Sequence, residues 1–125
     1  MDSKSKNNER EERIEDEIVV DAYGEYERAA SWHVHLEDRL NFPFKAKVIK
    51  ASQSSPLKEN EIVTAVSMAD IDDLNPSMRV IIKWKEREFS VPLEQLYPTD
   101  ASDCQDYMIE AIEDWHYWVE QGYLF

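Results

Sequence analysis

Residues 78–96 run Met78-Arg79-Val80-Ile81-Ile82-Lys83-Trp84-Lys85-Glu86-Arg87-Glu88-Phe89-Ser90-Val91-Pro92-Leu93-Glu94-Gln95-Leu96. Met78, Val80, Ile82 and Trp84 fall at every second position, the period of a strand with one face turned inward. A tight turn over Lys85 to Arg87 follows, Phe89 and Val91 continue an antiparallel partner, and Pro92 ends it. Short hairpin-linked strands closing in Val91-Pro92-Leu93-Glu94-Gln95-Leu96 predict a small, strongly bent antiparallel sheet of the SH3-like barrel type, with four to five strands.

Upstream, Asp70-Ile71-Asp72-Asp73-Leu74-Asn75-Pro76 is an acidic loop with turn chemistry, and Glu61 to Met68 is a second strand. Phe44 to Lys50 alternates and predicts a further strand, set off by Asn41-Phe42-Pro43, because the residue before proline avoids the α region. Ala22, Tyr26, Ala29, His33, Leu36 and Leu40 follow helical spacing and place a first helix over roughly 21–40. Downstream, Ser102 with Gln105 has the form of a capping box, and Met108, Ile112, Trp115 and Val119 recur at helical intervals up to Gly122. A second helix is therefore expected over roughly 103–120. The whole is an α+β domain: a bent sheet flanked by an N-terminal and a C-terminal helix. Residues 1–17 carry mixed charge and are expected to be a disordered charged arm, leaving 18–125 as a single domain.

Twenty-seven Asp and Glu against 14 Lys and Arg set the formal charge at −13, and no Lys or Arg follows Arg87. A hydrophobic content of 42% distinguishes this from a disordered acidic tail. A pI near 4.5 argues against phosphate-backbone binding, so no nucleic-acid partner is expected. No apolar run approaches the length that spans a bilayer, and Met1 to Glu17 is too charged for a signal peptide, which predicts a cytoplasmic protein with no membrane role. The single Cys104 allows no internal disulfide. Self-repulsion of this size is relieved by a cation or by a basic partner.

Enzyme signatures are missing: Gly24 and Gly122 are the only glycines, so there is no phosphate-cradling loop, and neither a nucleophile elbow nor His-Glu-x-x-His occurs. No catalysis is expected. His33 and His35 are two apart on a helix and point away from each other, so they do not grip one ion, and His116 sits alone on the other helix. Carboxylates in surplus suit a hard cation instead, since Ca²⁺ takes six to eight oxygens. An EF-hand starting at Asp70 fails, with Leu74 at its fifth position, Asn75 at its glycine and Ile81 at its bidentate acid. Asp70, Asp72 and Asp73 nevertheless suit an irregular loop site, and Glu37 and Asp38 on the first helix could add oxygens. Asp21 and Glu25, four apart at its start, are a second pair; dipole complement and a solvated face account for both helical pairs equally well. The rival reading is an acidic SH3-like module whose aromatic and acidic surface docks a basic protein.

Asp21-Ala22-Tyr23, Trp32 with Leu36-Glu37-Asp38, Phe42-Pro43-Phe44-Lys45-Ala46, Met68-Ala69-Asp70, Trp84 with Val91 to Leu96, and Asp114-Trp115-His116-Tyr117-Trp118 with Gly122-Tyr123 are together a specific set. On these residues, over roughly 18–125, the chain resembles the cyanobacterial calcium-binding protein family, small acidic proteins that bind Ca²⁺ without EF-hands. The resemblance implies reversible calcium binding that buffers or sequesters cytosolic Ca²⁺, and no catalysis. Asp38, Asp70, Asp72 and Asp73, with Glu37 as an additional oxygen, are the positions expected to meet where the first helix faces the acidic loop. A monomer is expected.

Overall fold

In the computed structural model, residues 7–20, 22–50, 56–71, 77–99 and 105–123 are described. The hairpin of the opening stretch is β3 (Arg79–Trp84) and β4 (Arg87–Pro92), paired with Val80 opposite Val91 and Ile82 opposite Phe89. Met78, Val80, Ile82 and Val91 are fully buried, as the two-residue period requires. Lys85 (φ 48°) and Glu86 (φ 66°) form the turn. Two left-handed residues give a hairpin the twist of its strands, although neither is a glycine.

Before this hairpin come β1 (Phe44–Val48) and β2 (Ile62–Met68), antiparallel to each other, with β2 also paired to β3. A register shift between Ala65 and Ser67 is a bulge that bends β2. After Pro92 a single 3₁₀ turn, Leu93–Gln95, redirects the chain into β5 (Leu96–Pro98), which returns beside β1. The order is β4-β3-β2-β1-β5, all antiparallel. The fold is α+β with the five strands of the SH3-like arrangement, and the pairings leave β4 and β5 as edges of a bent, open sheet.

Asn8–Arg13 forms helix α1, running into five π-helical residues, Ile14–Ile18. Helix α2 covers Glu25–Arg39 and α3 covers Asp106–Glu120. Helix α2 starts later than the expected 21, at Gly24, whose extended backbone serves as N-cap. Its buried stripe is Ala29, Trp32 and Leu36, while Tyr26, expected inward, is 50% exposed. Helix α3 buries Met108, Ala111, Ile112, Trp115 and Trp118. Gln105 is its N-cap without a side-chain bond; Ser102 and Cys104 lie outside the described residues. Gly122 stops it in the left-handed region (φ 76°), with Gly122 N–H bonding Val119 O and Tyr123 N–H bonding Trp118 O.

The expected disordered arm needs correction over residues 8–17. Ile14 (1% exposed) and Ile18 (4%), four apart on one helical stripe, enter the same core cluster as Trp32, Val80 and Trp115. The charges around them find partners on α3: Arg13 donates to both oxygens of Asp114 (3.1 and 2.6 Å), and Arg10 lies 3.4 Å from Asp114. Mixed charge in sequence concealed a helix that is amphipathic in three dimensions. Residues 1–6 lie outside the described set.

Candidate metal centre

The sequence points to the meeting of α2 with the end of β2. His33 on α2 makes that junction, because its Nε2–H donates to the carbonyl of Ala69 at 2.9 Å, one residue before Asp70. A carbonyl can only accept, so the proton is on Nε2. His33 is thus a strut between helix and loop rather than one of a histidine pair. Glu37 stands one turn further along the same face of α2 and is exposed, as is Asp70. Ile71, the last described residue before 72–76, packs against the core.

Asp38 is placed differently. At about 100° per residue it lies about 140° around the helix from His33. It is exposed, 3.6 Å from Arg39 Nε, and lines a shallow pocket with Glu17, Ser31, Val34 and His35. Helix geometry therefore sets Glu37 toward the Ala69–Asp70 side and Asp38 away from it. Asp72 and Asp73 lie outside the described residues, as does Asp21, whose partner Glu25 is exposed in the first turn of α2. Among the described residues, no three His, Cys, Asp or Glu side chains are positioned to share one metal ion. Glu37 and Asp70 are oxygen donors of the right chemistry, but they complete no site without the loop that follows.

Many of the other carboxylates are already committed. Asp114, 1% exposed, is held by Arg13 and Arg10. Glu11 accepts from the hydroxyls of Tyr117 (2.6 Å) and Tyr123 (2.9 Å), and burial with the Glu11 bond raises the Tyr117 pKa. Glu113 accepts from Tyr97 OH at 2.8 Å, and Glu94 from the indole of Trp115 at 3.1 Å. Glu61 accepts from the indole of Trp84 (2.9 Å) and from Lys58 N–H (2.6 Å), bonds that hold its pKa below the usual carboxylate value. These acids bind parts of the fold to one another.

Neither remaining histidine is placed as a ligand. His116 Nε2–H donates to Leu96 O at 3.0 Å, tying α3 to β5, and burial lowers its pKa. His35 sits edge-on to Trp32, with its pKa lowered first by burial and then by Arg39. Among the described residues no helix is long and apolar enough to cross a membrane.

Comparison with known proteins bears on this arrangement. The profile of a family described as calcium binding matches residues 12–119. Two solved structures superpose on the chain with TM-scores of 0.82, each at 36% identity and with 100% of both chains covered. One is CcbP of Anabaena; the other is a calcium-binding protein in its calcium-binding form. No curated protein matches the chain.

Proposed function

The chain belongs to the CcbP calcium-binding family, and from that membership we propose that it binds Ca²⁺ reversibly, without an EF-hand, and buffers or sequesters the ion in the cytoplasm. The observation that supports this reading is the hydrogen bond from His33 to Ala69 O, which ties α2 to the segment entering the acidic loop. In this reading Asp70, Asp72 and Asp73 supply the principal oxygens and Glu37 adds one from the helix. Asp38 contributes mainly to the local negative field. The bound ion supplies charge neutralisation to a chain at −13. The protein acts as a monomer and catalyses nothing.

Titration of metal-stripped protein with Ca²⁺ and Mg²⁺ tests this. Asp70→Asn and Glu37→Gln should each weaken Ca²⁺ binding on the order of tenfold, since site affinity follows ligand charge count, with Asp38→Asn weaker in effect. Saturating Ca²⁺ at a hundred times Kd should add about 2.7 kcal/mol of stability beyond a salt-matched control. Unchanged affinity in a chain carrying Asn at 70, 72 and 73 together would remove the loop from the site.

A second reading has support from the surface of the acidic segments, where Tyr23 (81%), just before α2, Tyr26 (50%) on α2 and Tyr107 (42%) on α3 are exposed. Such a surface suits a basic protein partner. Capture of that partner undiminished in chelator would favour docking over ion binding.

A further inference from the structure

The charge of this chain is segregated between its layers. Residues 1–40 hold 12 acids and six Lys or Arg, and residues 100–125 hold seven acids and none, giving −6 and −7. Residues 41–99, which contain the sheet, hold eight of each and are neutral. Within the sheet the pleat sorts the cations to one side. Ala46 and Val48 point into the core, so Lys45 and Lys47 point out, and on β3 Lys83 does the same between Ile82 and Trp84. Lys45 is level with Thr64, and Thr64 with Lys83, so one row of the ladder carries lysines two strands apart, roughly 10 Å. Lys47 is level with Ile62 on the next row, and Lys85 at the hairpin tip rests over the Trp84 ring at 4.7 Å. Between these cations, Ile62 (52%) and Ile49 (42%) are exposed.

In a protein with 27 acids, Lys45, Lys47 and Lys83 nevertheless form no ion pair among the described residues. The acids around this face include Glu88, level with Lys83 on the edge strand, Glu86 in the adjoining turn, Glu113, which accepts from the Tyr97 hydroxyl opposite Lys47, and Glu61, which is bonded to Trp84 and Lys58. We propose that this outer sheet face, built on Lys45, Lys47 and Lys83 with Ile49 and Ile62, is a docking surface for an anionic phospholipid membrane.

Charge complementarity calls for a polyanion, and the apolar content selects among polyanions. Exposed isoleucines between lysines match a surface with acyl chains just below its phosphates. Single-stranded nucleic acid needs free aromatic faces to stack on. Here Trp84 is covered by Lys85 and edged by Phe89 at 6.0 Å, and the Tyr97 hydroxyl is held by Glu113. The acidic helices do not cancel the attraction. The inward strand residues share one core with α2 and α3, so the body of those helices lies on the far side of the sheet, and α3 reaches the outer side at the β5 edge, where the hydroxyl of Tyr97, level with Lys47, donates to Glu113. Packed layers are roughly 10 Å apart and the Debye length at physiological salt is about 8 Å, which screens the distant carboxylates more than the contacting lysines. The proposal is independent of the calcium reading.

Sedimentation of the full chain with phosphatidylserine–phosphatidylcholine vesicles, in chelator and with pure phosphatidylcholine as control, tests it. Binding should require phosphatidylserine and weaken as salt rises. Each lysine contributes roughly fivefold to partitioning, so a Lys45→Gln, Lys47→Gln, Lys83→Gln chain should lose about 100-fold with its melting temperature unchanged. Ile62→Ser should weaken binding without altering the salt dependence. Equal partitioning onto both vesicle types, full binding by the triple variant, or retention of a single-stranded oligonucleotide in place of vesicles would each overturn the proposal.

Discussion

Asp114 shows what one residue can mean in this chain. It sits in the acid-rich C-terminal stretch that invites a metal reading, yet it is 1% exposed and bonded by Arg13 through both oxygens. Removing one partner of a buried pair leaves its counter-charge unsatisfied, but Arg13 and Arg10 retain 25% and 23% side-chain exposure and can rehydrate in part. Asp114→Ala should therefore cost about 2 kcal/mol in denaturant unfolding, below the roughly 3–5 kcal/mol of a fully buried pair, and leave Ca²⁺ affinity unchanged. His116 and His35 couple stability to pH. Burial lowers both pKa values from the ordinary 6.5, so between the folded and unfolded values the unfolded chain binds more protons. The stability they contribute is complete above the ordinary value and is lost as pH falls through it toward the lowered folded values. Melting temperature should be level above about pH 7 and fall below about pH 6.5, before carboxylates titrate near 4, and His116→Gln should flatten part of that fall.

Among elements, β3–β4 is the most legible, because alternation, turn and terminating proline all agree, and the strands form where the residues place them. The sequence does not reveal that the turn uses two non-glycine residues in the left-handed region. Each costs about 1 kcal/mol relative to glycine, so Glu86→Gly should stabilise the chain by about 1 kcal/mol, measured by thermal unfolding. A neutral or destabilising result would show that tertiary contacts over-determine this turn. The helix α1 and its π-helical continuation are the least legible element. The stripe of Ile14 and Ile18 was outnumbered by surrounding charges, and only Asp114, 101 positions away from Arg13, explains why those charges are there. The strut at His33 was equally hidden, because its acceptor is a backbone carbonyl 36 residues away.

At the scale of the molecule, −13 on 125 residues should make the fold sensitive to ionic strength even without calcium. Raising monovalent salt shortens the Debye length from ~30 Å at 0.01 M to ~8 Å at 0.15 M, and the melting temperature should rise on the order of 4 °C, followed by circular dichroism. A flat profile would mean that internal pairs such as Arg13–Asp114 already absorb most of the repulsion. The α+β class, four of the five strands and the two long helices are legible in the residues alone, because periods of two and of 3.6 are local properties of a chain; the fifth strand and the β4-β3-β2-β1-β5 order are not. The acidic surplus is legible there as well. Packing across the chain sets which carboxylates are committed to arginine, tyrosine and tryptophan, that His33 ties α2 to Ala69, and that Lys45, Lys47 and Lys83 share the outer side of the sheet. Coulomb and hydrogen-bond partners are chosen by distance in space, and that distance is set by packing between residues far apart along the chain.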